Sequence, residues 1–156
     1  KEILPIMRQN KNGRIINISS VAAVLPVPFQ AYYSACKSAI NSYTEALSNE
    51  VANFGITVCA IMPGDTKTGF TASRKKECAG DDVYKGLISK SVSRMEHDEQ
   101  NGTAPESVAD TVIFVANKKR VKPFYTVGLK YKFFVYHAKF LPHSLINRLL
   151  RILYAK

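Results

Sequence analysis

Residues 118–156 contain no aspartate or glutamate, yet they carry ten lysines and arginines. Residues 1–117 hold twelve basic and twelve acidic residues, so the whole formal net charge of +10 lies at the C-terminal end. A uniformly basic nucleic-acid-binding domain is thereby excluded, and no nucleic-acid partner is expected. Tryptophan is missing altogether and cysteine is scarce. Cys36, Cys59 and Cys78 are odd in number and widely spaced, which gives no disulfide or metal framework and favours a reducing compartment. His97, His137 and His143 are scattered without metal-ligand spacing, and no metal is expected. No apolar run reaches the roughly 18 residues of an ordinary membrane-spanning helix. The opening Lys1-Glu2-Ile3-Leu4-Pro5 has no signal-peptide pattern, so the reading is cytoplasmic, with membrane association left to the tail. There is no internal repeat, and no G-x-G-x-x-G turn. What is present is globular composition, 46% hydrophobic and 22% charged, over 156 residues, which suits one domain.

Periodicity organises the chain as alternating strands and helices. Residues 1–10 read as the end of a helix, followed by a turn at Asn12-Gly13. The β-branched run Arg14 to Ser19 predicts a buried strand. Residues 21–31, with Pro26 and Pro28, predict a loop. From Tyr32 to Asn53 apolar residues recur at three- and four-residue spacing, and Gly55 follows as a left-handed stop. Ile56 to Ile61 predicts a second buried strand, ending at Met62-Pro63-Gly64. Residues 65–102 are polar and irregular, with one or two short helices expected around 81–95. Thr103-Ala104-Pro105-Glu106 has the pattern of a capping box opening a helix to about Asn117. Phe124-Tyr125-Thr126-Val127 predicts a third strand, and residues 131–155 one or two amphipathic helices broken near Pro142. This alternation is that of a parallel sheet with helices on its faces, where ligands bind at the carboxyl ends of the strands.

The chemistry concentrates at those ends. In Tyr33-Ser34-Ala35-Cys36-Lys37, Tyr33 and Lys37 stand four residues apart and share one helix face. An ammonium beside a phenol favours the phenolate, so a lysine one turn away makes the tyrosine a better proton shuttle near neutral pH. Ser20 lies at a strand end, where its hydroxyl can hydrogen-bond the substrate oxygen that the tyrosine protonates. Alone, Tyr-x-x-x-Lys is a weak signal that chance supplies often. The order strand, Ser-Ser, loop, Tyr-x-x-x-Lys helix, strand, Pro-Gly is long and specific.

On Gly13 to Ser20, Tyr33 to Lys37 and Pro63-Gly64-Asp65-Thr66-Lys67-Thr68, the sequence resembles the classical short-chain dehydrogenase/reductase family. Leu4-Pro5-Ile6-Met7-Arg8 and Pro105-Glu106-Ser107-Val108-Ala109 also look like its landmarks. The resemblance implies the C-terminal part of a Rossmann-type, doubly wound α/β domain, holding about three of seven strands. Residues 1–129 would be this partial catalytic region and 130–156 a basic amphipathic tail. Tyr33 would be the catalytic acid/base. Lys37 would hold the nicotinamide ribose and favour the phenolate of Tyr33, and Ser20 would stabilise the substrate oxygen. Pro63, Gly64 and Thr66 would pass under the nicotinamide, and Thr68 would reach its carboxamide or the pyrophosphate. Residues 69–100 would be the substrate loop. The cofactor would be NAD or NADP (NADPH), and the substrate a small-molecule alcohol or carbonyl compound of apolar character. Ala23 stands where the family often has glycine, and Thr66 where it usually has Ile or Val; neither removes a side chain that the reaction needs.

The resemblance also implies a homodimer or homotetramer through the Tyr32–Asn53 helix. The absent glycine-rich turn keeps a second function open, a non-catalytic fragment or a binding and dimerisation module. Between Tyr131 and Tyr154 aromatic, aliphatic and basic residues alternate, the composition of a helix in an anionic membrane interface. The favoured reading is that the same apolar face caps a substrate pocket or a subunit interface, since amphipathic helices more often face protein, and the two readings are compatible.

Overall fold

The computed structural model describes residues 2–74 and 79–155; Cys78 lies outside the described residues. Its centre is the strand β2 (Ile56–Pro63), flanked by β1 (Gly13–Ile18) and β3 (Phe124–Val127) in the order β1-β2-β3. Both pairings are parallel, with Gly13 opposite Ile56, Ile18 opposite Ile61, and Ala60 opposite Phe124. A strand buried on both faces needs a continuous apolar run rather than alternation, and Val58 to Met62 are all buried accordingly. Burial also pushes the Cys59 thiol up from its ordinary pKa, with Arg14 opposing.

Helices cover the sheet. The first, α1 (Ile3–Gln9), precedes β1, and its Leu4 and Met7 pack with Ile15 on the cluster Leu47, Val51, Ile56 and Val58. The long helix α2 (Ala31–Val51) follows β1, and α3 (Leu87–Gln100) and α4 (Pro105–Asn117) fill the interval between β2 and β3. The tail forms α5 (Leu129–Ala138) and α6 (His143–Tyr154), parted at Pro142. A second apolar cluster, Val21, Met62 and Val135, joins the exit of β1, the end of β2 and α5.

The expected α/β alternation is present, with local corrections. The positive φ in the first turn belongs to Lys11 (φ 48°), one residue before Asn12-Gly13. Gly55 adopts φ 69°, and a Cβ there would meet the Lys11 carbonyl oxygen at 2.4 Å, so the two turns pack too closely for a side chain. The region expected to hold short helices around 81–95 carries the fourteen-residue α3, which extends to Gln100. Thr103 does not cap α4, whose N-cap is Ala104 without a side-chain bond. Its backbone N–H and hydroxyl both donate to the Asp65 carbonyl, at 2.9 and 3.2 Å. A tertiary contact has claimed the hydroxyl that the local pattern assigned to the helix.

Long-range polar bonds fix the layers. Arg14 Nε donates to Thr57 Oγ1 (3.0 Å), and its Nη1 donates to the carbonyls of Val115 and Ala116 at 2.6 and 2.7 Å. A guanidinium thus satisfies the last carbonyls of α4 and sits at the negative end of its dipole. Asn17 donates to Thr44 Oγ1 (2.9 Å), which donates to the Ile40 carbonyl (2.7 Å), tying β1 to α2.

Candidate active site

The carboxyl ends of β1 and β2 open into one cleft of about 1340 Å³. All seven residues singled out in the sequence line it: Ser20, Tyr33, Lys37, Pro63, Gly64, Thr66 and Thr68.

Lys37 is clasped by the end of β1. Its Nζ donates to the Ile18 carbonyl (3.0 Å), while Ser19 Oγ donates to the Lys37 carbonyl (3.1 Å). One turn earlier on α2 stands Tyr33, its ring centroid 5.7 Å from Lys37 Nζ. The phenol is 37% exposed and turned to the cleft, with the Phe70 ring 6.4 Å away. Ser20 caps the 3-10 turn Val21–Ala23, its oxygen accepting from the Ala22 N–H at 3.1 Å. A hydroxyl that accepts through its oxygen still has its proton to donate. The three side chains thus offer a phenol, an ammonium and a hydroxyl donor to one space.

The segment after β2 forms the floor. Thr66 Oγ1 donates to the Gly64 carbonyl (3.0 Å), and Thr68 Oγ1 accepts from the Phe70 N–H (3.2 Å). Both threonine hydroxyls therefore shape the loop itself. Thr66 pairs with Thr103, and the Lys67 N–H donates to the Thr103 carbonyl at 2.9 Å. Farther on, Arg74 and Thr71 both bind the Glu99 carboxylate at 2.6 Å, fastening the segment to α3.

The opposite wall was not read from the motifs. It comes from α3 and α4, through residues such as Met95 and Val112, and from α5, α6 and their connection, through Phe133, Leu149, Ile152 and Leu141. Tyr131 is its keystone. Its phenol donates to Asp65 Oδ2, and its ring lies so close on Gly64 that a Cβ there would fall 2.1 Å from a ring carbon. Burial raises the Asp65 carboxyl above its ordinary pKa, with the Tyr131 bond opposing, and burial together with Asp65 drives the Tyr131 phenol well above its own. Tyr154 is pushed up to about 12 by burial and then by the charges of Asp65 and Asp98, and its hydroxyl donates to Asp98 at 3.4 Å. The one hint of Asp65 in the sequence was its place directly after Pro63-Gly64; nothing local marked its partner 66 positions away.

Comparison with known proteins shows what this chain is similar to. The family model for short chain dehydrogenases matches residues 1–79. A 3-ketodihydrosphingosine reductase of Bacteroides thetaiotaomicron is 39% identical over 159 aligned positions, covering 99% of this chain and 59% of that protein. A short-chain dehydrogenase structure from Streptomyces avermitilis superposes with a TM-score of 0.71 at 21% identity, covering 96% of this chain and 54% of the other. One from Burkholderia cenocepacia, solved in complex with NADP, gives 0.67 at 20% identity, covering 94% and 50%. The chain thus spans little more than half the length of the curated relatives it matches.

Proposed function

The chain belongs to the short-chain dehydrogenase family, and from that premise we propose that the protein is an NAD(P)-dependent oxidoreductase interconverting a secondary alcohol and a ketone on an apolar, long-chain substrate. One observation carries the reading: Ser20, Tyr33 and Lys37 face a single cleft whose far wall is apolar.

In the reducing direction Tyr33 gives its phenolic proton to the carbonyl oxygen, and in the oxidising direction it takes the alcohol proton. Ser20 donates a hydrogen bond to the same oxygen, where negative charge develops. Lys37 spends one of its three donors on the Ile18 carbonyl and keeps two for ribose hydroxyls. The backbone from Pro63 to Thr66 lines the cleft beside them, suited to hold a carboxamide. These groups fit the nicotinamide end of a dinucleotide, which when bound supplies or accepts the hydride. Among the described residues none forms a glycine-rich turn for the adenosine end, so the fit covers that one half.

The substrate class rests on the aromatic and aliphatic wall, and on a relative named for a ketone carried on a long alkyl chain. Such substrates reside in membranes, and the acid-free tail is the part of this chain suited to meet one. Homo-oligomerisation through α2 is supported by the stripe Ala35, Ala39, Tyr43 and Ala46, which is exposed at helical spacing. Light scattering that gives a monomer would refute that part.

The test is a fluorescence titration with NADH and NADPH, followed by turnover of long-chain 3-ketones. Saturable binding and turnover, both present in the wild type, with turnover alone lost in Tyr33→Phe, is the expected result. Turnover that survives this substitution overturns the role of Tyr33. Binding without turnover of any ketone would move the reading to a binding or dimerisation module.

A further inference from the structure

Helix α5 is apolar on two opposite sides. Its inner side carries Tyr131 and Val135, packed against the ends of β1 and β2. Its outer side carries Leu129, Phe133 and Tyr136, with Phe140 following in the turn beyond its end, at spacings of four, three and four that place them on one stripe whose Phe133 also reaches the cleft. They are 84, 59, 59 and 71% exposed. Leu129, Tyr136 and Phe140 line no part of the cleft. Lys132 and Lys139 flank the stripe on one side and Lys130 on the other, all exposed. Helix α6 repeats the theme. Its apolar arc packs inward at Ile146 and Leu150, while Leu145 is exposed outside the cleft and Leu149, Ile152 and Leu153 are exposed along the cleft's own wall, with Arg148 along their edge.

We propose that the outer stripe of α5 docks the protein on an anionic lipid bilayer, with the exposed arc of α6 beside it. This rests on the reading that the tail meets lipid, and adds which face does so. Charge selects the occupant. An apolar stripe bordered by lysines, in a segment without a single acid, complements anionic headgroups above an acyl layer. A second copy docked by the same stripe about a twofold axis would set lysine against lysine. Aromatic residues such as Tyr136 and Phe140, whose rings meet edge to face at 5.4 Å, suit the headgroup boundary. Phe133 of α5, Leu149 of α6 and Leu141 between them belong both to the tail and to the cleft wall. A substrate dissolved in the bilayer therefore enters the cleft from the docked side.

The test is co-sedimentation of the purified protein, at the length its gene encodes, with phosphatidylcholine vesicles with and without phosphatidylglycerol. The wild type binds the anionic vesicles, and added salt weakens that binding. The double variants Lys132→Glu/Lys139→Glu and Leu129→Ser/Phe140→Ser each lose on the order of tenfold in binding. Both sets of positions are exposed and outside the cleft, so unfolding transitions and turnover of a short, soluble ketone stay as in the wild type. Equal binding to neutral vesicles, or none, overturns the reading that the tail meets anionic lipid. Binding unchanged in both variants overturns the assignment to this stripe alone. A wild-type dimer that dissociates in Leu129→Ser/Phe140→Ser, without vesicle binding, assigns the face to a second copy. Vesicle binding without ketone turnover refutes the catalytic reading and leaves the docking surface standing.

Discussion

The two walls of the cleft are built in different ways. Ser20, Tyr33 and Lys37 come from one stretch of chain in which a strand exit, a short turn and the start of α2 follow directly on one another. Their geometry is set by near neighbours, such as the clasp of Lys37 by Ile18 and Ser19. The facing wall is assembled from α3 to α6, and it meets the post-β2 segment through long-range contacts: Arg74 and Thr71 on Glu99, the Tyr131–Asp65 bond, and the contact of Tyr131 with Gly64. The first wall carries the proposed reacting groups and tolerates exposure. The second carries apolar surface and depends on close packing. Substitutions should therefore separate activity from stability according to the wall they touch.

The largest effect is expected at the reacting wall. Tyr33→Phe should lower kcat by about 10²–10⁴-fold, the usual scale for losing a positioned acid/base. The unfolding transition should not move, because the phenol faces the cleft. Ser20→Ala should cost about 10²-fold in kcat, as for loss of one donor to a developing oxyanion. The Ala22 N–H also loses its acceptor, adding a stability loss of about 1 kcal/mol. A variant that loses stability but keeps kcat would make Ser20 a cap alone.

At the packed wall the order reverses. Gly64→Ala drives a methyl group into the Tyr131 ring and should cost about 1–3 kcal/mol by chemical denaturation. Its effect on kcat should follow only as α5 and the loop separate. The smallest effect is that of Tyr131→Phe, about 1 kcal/mol near neutral pH, with a distinct pH signature. The Asp65 carboxyl has its pKa raised in the fold, so its contribution to stability is full below the unfolded value and is lost as pH rises through the folded one. The phenol bond opposes that rise. Its removal should raise the folded pKa further and carry the loss of stability to higher pH, as followed in thermal unfolding across pH. An unchanged pH profile in Tyr131→Phe would separate the two walls.

How much was legible follows from the same contrast. The three strands and the course of α2 could be read because each depends on short-range patterns, β-branched runs and helical spacing; the seven site residues, four of them named through the family resemblance alone, all line the one cleft. The capping pattern at Thr103 failed because its hydroxyl had a better use at the Asp65 carbonyl. The extent of α3 was obscured by its polar composition, since its fixed partners, Arg74 and Thr71 on Glu99, lie across the loop. The apolar positions that recur along α2 divide, Leu47 and Val51 inward and Ala35, Ala39 and Tyr43 outward, because periodicity marks a helix without saying which face is covered.

By itself, then, the sequence determined the α/β alternation and the parallel sheet, because strand, turn and helix signals act over a few residues, and the same signals place Ser20, Tyr33 and Lys37, the proposed reacting groups, at one end of the sheet. Only the tertiary structure decided that the tail closes the cleft, that Tyr131 rests on Gly64 and bonds Asp65, and that among the described residues one side of α5 is left exposed. Those depend on which surfaces meet across long separations in the chain, where burial and steric fit, rather than local propensity, select the partner.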